Sequence, residues 1–181
     1  MTEADDRMKA AYTRRVDLPP GVEEVLREFR TCEFSTLARD GNPIVWPTLP
    51  FWYPHEGRFL ITTSIGLPHK ALNARRNPRV SLLFSDPTAS GLANPPAVLV
   101  QGDAEAPDRV ESSVGGFEDE LLQVLNRQPA GGFYSSNPLA RYLFDWYYMR
   151  LMIHVAPRRI LWWPEGDFGR RPLEVEVDGV G

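Results

Sequence analysis

The sequence predicts a mainly β protein with flanking helices (α+β), folded as a small antiparallel barrel. Short apolar strands follow one another through hairpin turns. Apolar residues at helical spacing interrupt this run of strands once and occur again late in the chain. A parallel doubly wound sheet is disfavoured because regular crossover helices do not separate the strands. The length of 181 residues, 43% of them hydrophobic, suits one domain with one core.

The first predicted elements are a helix and a hairpin. Residues 1–17 are polar and aperiodic, which predicts a flexible N-terminal arm. Helical spacing of apolar residues predicts a helix from Val22 to Arg30. The segments CEFSTLA and PIVWPTLPFWY, joined by the turn Arg39–Asn42, predict two paired strands. Because proline has no N–H group, the three prolines of the second strand place it at an edge, at a bulge or against a ligand.

The remaining segments alternate between strands and short helices. The strand RFLITT is followed by a short basic helix and then by the strands RVSLLFSD and AVLVQGDAEA. Helical spacing predicts one broken helix or two short ones from Asp108 to Gln128, and a further helix from Leu139 to Tyr147. The segment MRLMIHVAPRRILWW predicts two last strands, or one long strand bent near Pro157.

Charge and composition restrict the classes of partner. The net charge of -4, without a basic tract, argues against nucleic acid or a membrane surface as the main partner. No segment approaches the roughly 20 apolar residues that span a bilayer, so we expect a cytoplasmic protein. Cys32 is the single cysteine and is expected to be a buried, inert thiol. The histidines lack a second ligand at metal-binding spacing, so no metal site is expected.

The stretch FLITTSIGLPHKALNARR indicates an anion-binding site. Its strand ends in the hydroxyls of Thr62, Thr63 and Ser64, and a basic helix follows. Hydroxyls and the free N–H groups at a helix start both donate hydrogen bonds, and the helix dipole favours negative charge there. Lys70 adds a formal charge at the start of this helix, although an ordinary capped helix with a charged surface would show the same residues. The spacing of a Walker loop is absent.

The run TTSIGLPHKALNARRNPRVSLLF, preceded by ARDGNPIVWPTLPFWY and followed by AVLVQGDAEA, resembles the pyridoxamine 5'-phosphate oxidase-like family of FMN- and deazaflavin-binding proteins. The resemblance covers residues 22–106. It implies a six-stranded antiparallel Greek-key split β-barrel that forms a homodimer with cofactor sites at the interface. The chain then divides into the N-terminal arm, a single split-barrel flavin-binding domain at residues 18–166 and a C-terminal tail at residues 167–181.

The same resemblance implies which residues bind the cofactor. The phosphate would lie against Thr63, Ser64, His69 and Lys70. The ring system would be flanked by Trp46, Pro47, Thr48, Ile61 and Thr62. Gln101 would reach the flavin from the side, unless it is an ordinary outward-facing strand residue. One indole of the last strand, Trp163, would close over the cofactor across the dimer, since alternation turns Trp162 to the other face.

The function expected from this resemblance is a flavin- or deazaflavin-dependent oxidoreductase acting on a small molecule. FMN and the deazaflavin coenzyme F-420 both remain open, and Arg75, Arg76 and Arg79 are candidates to line a groove for the longer deazaflavin tail. Oxidation of pyridoxamine phosphate is not expected, because the SIGLPH turn is longer than the family's short form and the C-terminal Arg-x-His signature is not recognisable. No side chain is identified as catalytic, because the cofactor carries the chemistry.

Two alternatives stay open beside this function. The same barrel would serve a non-catalytic protein that stores or senses a flavin or haem, since a fold does not determine an activity. An oligonucleotide-binding barrel would use the basic helix and exposed aromatic residues, and the net acidity of the chain opposes it.

Overall fold

A computed structural model describes residues 16–111, 149–175 and 177. Most of the predicted N-terminal arm lies outside the described residues. So do the helix predicted from Leu139 to Tyr147 and all but the first residues of the segment predicted as helical from Asp108 to Gln128.

The described residues form two α-helices and nine β-strands. The helices are α1 (Pro20–Glu28) and α2 (His69–Arg76). The strands are β1 (Cys32–Leu37), β2 (Pro43–Thr48), β3 (Pro50–Tyr53), β4 (Arg58–Ser64), β5 (Arg79–Phe84), β6 (Ala97–Glu105), β7 (Val110–Glu111), β8 (Arg150–Trp163) and β9 (Leu173–Val175). A single 3-10 turn, Pro164–Gly166, follows β8. None of the helices in these residues is long and apolar enough to cross a membrane.

All nine strands belong to one antiparallel sheet, in the order β2-β1-β5-β6-β8-β4-β3, with β7 and β9 also paired to β8. The two ends of this path, β2 and β3, are consecutive in the chain and are separated only by Leu49. A sheet whose opposite edges are joined through one residue has to curl back on itself, which produces the barrel. The prediction of a mainly β antiparallel barrel with flanking helices is therefore confirmed.

The strand count differs from the six that were predicted. The segment PIVWPTLPFWY was expected to be one strand, and it divides at Leu49 into β2 and β3, which pair with different neighbours. The short strands β7 and β9 add to β8 and were not expected. Counting β2 with β3 and leaving out the two short additions gives the expected six.

The prolines of β2 are explained by its position at the edge of the sheet. Within the described residues β2 pairs only with β1, and Pro43 and Pro47 are exposed there. Proline is tolerated at an edge because no ladder bond from its nitrogen is needed. Of the three placements that the sequence left open, the structure selects the edge.

The segment MRLMIHVAPRRILWW is one long bent strand, β8. Its register with β6 shifts between Gln101 and Gly102, which lie opposite Arg159 and Pro157, so that Arg158 is the extra residue of a bulge. Gly102 is required at this point, because a Cβ atom there would lie 2.5 Å from the carbonyl oxygen of Ala156. The bulge bends β8, which lets one strand pair with β6 along one half and β4 along the other.

The core fills the inside of the barrel. Its largest fully buried side chains include Phe29, Phe34, Phe59 and Phe84, and the last two lie with their ring centroids 5.9 Å apart. Helix α1 contributes three valine and leucine side chains, and α2 contributes Ala71 and Ala74. Each fully buried aromatic side chain contributes about 2 to 3 kcal/mol of hydrophobic stabilisation. Cys32 is buried in the same core, and desolvation raises the pKa of its thiol, so the prediction of an inert cysteine is confirmed.

Candidate functional site

The end of β4 and the turn after it use two of the predicted hydroxyls. The Thr63 hydroxyl donates to the carbonyl oxygen of Leu67 at 2.8 Å, and the Ser64 hydroxyl accepts from the Gly66 N–H at 3.2 Å. Thr63 and Ser64 are both buried. The donor of Thr63 is therefore committed to the turn, whereas Ser64 acts there as an acceptor and keeps its own proton for donation.

Helix α2 begins beside this turn without a side-chain cap. Pro68 is its N-cap residue, and no side chain bonds to the first N–H groups. These groups have no acceptor within the helix, and the dipole makes this end positive. Lys70 is the second residue of α2, so its charge adds to that of the helix start.

The Lys70 side chain is half-buried against an aromatic ring. Its Nζ atom lies 5.2 Å from the centroid of the Trp46 ring, within cation–π range. Burial, and after it the positive charge of Arg150, lower the pKa of Lys70 below its ordinary value of 10.5. Among the described residues, no carboxylate forms an ion pair with Lys70. This end of the barrel therefore holds a desolvated cation without a described counter-ion.

Arg150 belongs to this region and was not predicted from the sequence. It is the first residue of β8 and lies opposite Ser64 of β4 in the antiparallel register. Its distance from Lys70 along the chain leaves no local spacing signal. Only the pairing of β4 with β8 shows that its positive charge acts on Lys70.

A buried polar network connects α2 to β1 and β2. The Thr36 hydroxyl accepts from Nε1 of Trp46 at 3.4 Å and from Nδ2 of Asn73 at 3.0 Å. Arg76 donates to Oδ1 of Asn73 at 2.7 Å and to the carbonyl oxygen of Leu37 at 3.2 Å. Thr36 and Asn73 were not identified from the sequence, although the i, i+3 spacing of Asn73 and Arg76 on a helix was an available signal.

The three arginines considered for a deazaflavin groove have partners within the protein. Arg75 donates to the carbonyl oxygens of Ala106 and Pro107, each at 2.6 Å, and to Asp108 at 2.7 Å. Arg79 forms an ion pair with Asp103 at 3.4 Å. With Arg76 bonded as described above, Arg75 and Arg76 attach α2 to its neighbours, and Arg79 links β5 to β6.

The register of the strands separates the predicted cofactor-binding residues onto two faces of the sheet. The side chains on the inner face are Trp46, Thr48, Ile61 and Thr63; those on the opposite face are Pro47, Thr62, Gln101 and the buried Ser64. The side chain of Ile61 is fully buried in the core. His69 is exposed at the first position of α2.

Gln101 and Trp163 are distant from Arg150 along β8. Gln101 is opposite Arg159, nine positions beyond Arg150, or roughly 30 Å along this bent strand. Trp163 is the last residue of β8, and its ring lies 5.1 Å from that of Phe168. Across the sheet, the register places Gln101 in one row with Ser81, Ser35 and Val45, which precedes Trp46 in β2.

A second cation–aromatic pair lies on the outer face of β3, β4 and β8. The guanidinium of Arg58 lies 5.7 Å from the centroid of the Tyr53 ring, forms an ion pair with Glu56 and donates to Nδ1 of His154. Burial and the charge of Arg58 lower the pKa of His154 to about 4. His154 is therefore neutral at pH 7, with Nδ1 as an acceptor. No group of three or more metal-binding side chains occurs in the part of the chain that the structure describes.

Comparison with known proteins gives a family match and several structural neighbours. A family model described as pyridoxamine 5'-phosphate oxidase matches residues 18–130. No curated protein matches the chain.

Three solved structures share the fold at low sequence identity. A Clostridium acetobutylicum protein related to general stress protein 26, of the pyridoxinephosphate oxidase family, is 10% identical, with a TM-score of 0.54 over 87% of this chain and 92% of that one. A heme-binding protein from Mycobacterium smegmatis is 19% identical, with a TM-score of 0.52 over 90% of this chain and 60% of that one. An F-420 reductase is 20% identical, with a TM-score of 0.52 over 79% of this chain and 98% of that one.

Proposed function

The chain belongs to the pyridoxamine 5'-phosphate oxidase family, and from that premise we propose that it is an oxidoreductase that binds FMN or the deazaflavin F-420 and acts on a small molecule. The observation that carries this proposal is the half-buried Lys70 at the uncapped start of α2, above the Trp46 ring. The family includes oxidoreductases, and one structural neighbour is an F-420 reductase.

The surroundings of Lys70 fit a phosphate group. The half-buried ammonium has no carboxylate partner among the described residues, and its desolvation, followed by the charge of Arg150, lowers its pKa. A phosphate at this position would accept charge-assisted hydrogen bonds from Lys70, from the N–H groups at the start of α2 and from the Ser64 hydroxyl. These donors are of the three kinds that phosphate sites combine.

The neighbouring residues suit a ring system beside that phosphate. Trp46 presents an aromatic surface next to Lys70, and Pro47 and Thr48 continue the same edge strand. The N–H groups and carbonyl oxygens of an edge strand that face away from its single neighbour are open to a ligand. When bound, a flavin or deazaflavin supplies hydride transfer, and the residues of this chain hold and orient it and exclude water.

We further propose that the working unit is a homodimer. The family supports this proposal, because the resemblance implies cofactor sites at a dimer interface with one late aromatic residue contributed across it. A second copy that brings its Trp163 to the Lys70 site of the first would complete the predicted set of cofactor contacts. A monomeric form that binds the cofactor with full affinity would contradict this arrangement.

Titration of the purified protein with FMN and with F-420, followed by cofactor fluorescence, tests the proposal. Riboflavin, which lacks the phosphate, is the control for FMN. Tight binding of one cofactor, with much weaker binding of riboflavin, is expected, followed by turnover when a reductant and an acceptor are added. Binding of neither cofactor would overturn the proposal, and a bound cofactor that never cycles would favour a storage or sensing protein.

A further inference from the structure

We infer that Thr36 and Asn73 are positioning residues that hold the Trp46 ring and the Lys70 ammonium in register for the cofactor. This inference rests on the proposed function, because it assigns these two residues a role in the same site. Neither residue was among the candidates identified from the sequence.

The Thr36 hydroxyl joins three elements of the fold. It accepts one hydrogen bond from Trp46 of β2 at 3.4 Å and another from Asn73 of α2 at 3.0 Å, while Thr36 itself belongs to β1. A hydroxyl oxygen has two lone pairs, so both of its acceptor positions are used. Thr36 is 1% exposed and Asn73 is 6% exposed, which shields these bonds from competing water.

Asn73 is held from its other side as well. Its Oδ1 atom accepts from Arg76 at 2.7 Å, and Arg76 also donates to the carbonyl oxygen of Leu37 at 3.2 Å. Leu37 follows Thr36 directly in β1, so α2 is attached to two successive residues of the same strand. The amide of Asn73 therefore has a fixed orientation, with its nitrogen towards Thr36.

The position of Lys70 links this network to the site. Lys70 lies three residues before Asn73 on α2, so both side chains lie on adjacent turns of one helix face. Its Nζ atom lies over the ring whose N–H bonds to Thr36. One hydroxyl thus bonds both to the ring and to the helix that carries the ammonium.

Replacing the Thr36 hydroxyl is expected to weaken cofactor binding by more than the accompanying loss of stability explains. Thr36→Val keeps the shape and removes the acceptor, leaving the Trp46 and Asn73 donors without it. We expect the dissociation constant for the bound cofactor to rise about tenfold. Thr36→Ser keeps the acceptor and should restore most of the affinity.

The test combines affinity with a direct observation of the indole. The Trp46 indole N–H signal is assigned in a proton–nitrogen correlation spectrum by its loss in Trp46→Phe. Thr36→Val should shift this signal and Thr36→Ser should leave it near its original position. The control is Ile160→Val, a fully buried substitution in the far half of β8, which should lower stability without changing the dissociation constant.

The outcomes separate this inference from the proposed function. Failure of the unsubstituted protein to bind either cofactor ends the proposed function and the positioning role with it, and the indole signal still decides whether the hydrogen bond exists. Normal binding by the unsubstituted protein together with equal binding by Thr36→Val overturns only the positioning role. If Thr36→Val does not fold, Asn73→Leu removes the other half of the network and is expected to give the same loss of affinity.

Discussion

Two cations in this protein lie over aromatic rings, and their surroundings differ. Arg58 lies over Tyr53 together with a carboxylate, Glu56, and a histidine acceptor, His154. Lys70 lies over Trp46 with no carboxylate among the described residues, and the positive charge of Arg150 acts on it. The first cation has its counter-ion within the fold, whereas the second has none among the described residues, which is why we propose a bound anion there.

The two cations differ in their charged and polar partners rather than in their aromatic contact. Both rings contribute a similar attraction, about 0.5 to 2 kcal/mol depending on exposure. Of the two cations, Arg58 alone forms an ion pair with a carboxylate of the described residues.

The largest effect is expected from acidification at the Arg58 cluster. The pKa of His154 is about 4 in the folded protein and 6.5 when unfolded, so the unfolded state binds more protons between these values. The stability contributed by neutral His154 is complete above pH 6.5 and is lost as pH falls towards 4. The free energy of unfolding should fall by up to about 3 kcal/mol across this window.

Chemical denaturation at a series of pH values measures this dependence. His154→Asn, which keeps an acceptor for Arg58 without a titrating ring, is the matched control. It should remove the part of the slope of unfolding free energy against pH that His154 causes. An unchanged slope in His154→Asn would show that other groups cause the acid sensitivity.

The second effect concerns Lys70 and cofactor affinity. Lys70→Ala should weaken FMN or F-420 binding by about 2 kcal/mol, roughly thirtyfold, because it removes a charge-assisted contact to phosphate. The affinity for riboflavin should be almost unchanged. Arg27→Ala, at an exposed cation on α1, is the control and should bind the cofactor like the unsubstituted protein. Equal losses for FMN and riboflavin would mean that Lys70 supports the ring rather than the phosphate.

Alkaline pH offers a third test of the same cation. Because the pKa of Lys70 is lowered, its ammonium loses its proton below pH 10.5, and phosphate binding should weaken as pH rises through that lowered pKa. Fluorescence titration from neutral to alkaline pH measures this change, and Lys70→Arg, which stays charged, should not show it. A parallel decline in Lys70→Arg would assign the pH dependence to another group.

The smallest effect is expected at a solvent-exposed ion pair that has no aromatic ring beside it. Arg159 donates two hydrogen bonds to Glu174, at 2.8 and 2.9 Å. This solvent-exposed pair links β9 to β8. Arg159→Ala should lower the free energy of unfolding only slightly, and less at high salt, because water and ions screen an exposed pair. Thermal unfolding at low and high salt checks this, and a loss as large as that at His154 would contradict the role assigned to burial.

Local patterns determined most of the elements of the fold. The turn at Arg39–Asn42 was predicted from its composition, and the structure shows Gly41 with φ 85° and the Asp40 carboxylate accepting from the Asn42 N–H at 3.1 Å. Helix α1 and the strands β1, β4, β5 and β6 follow from apolar spacing. These features depend on neighbouring residues, whose backbone preferences and side-chain periodicity act over a few positions.

The contacts between segments that are distant in the chain depend on the tertiary structure. The division of one proline-containing strand at Leu49, and its pairing with two different neighbours, depends on closure of the whole sheet. The action of Arg150 on Lys70, and of Asn73 on Thr36, likewise depends on which strands and helices become adjacent.

The class of fold could therefore be predicted from local sequence patterns, and the same patterns predict an anion-binding site at the β4–α2 turn. It could not show which cation has a counter-ion, because ion pairs and buried hydrogen bonds form between residues far apart in the chain. Arg58 and Lys70 are both basic residues beside a strand in the sequence. Packing of the barrel places Glu56 and His154 beside Arg58 and places the Trp46 ring beside Lys70. The two cations therefore differ in the charges that surround them.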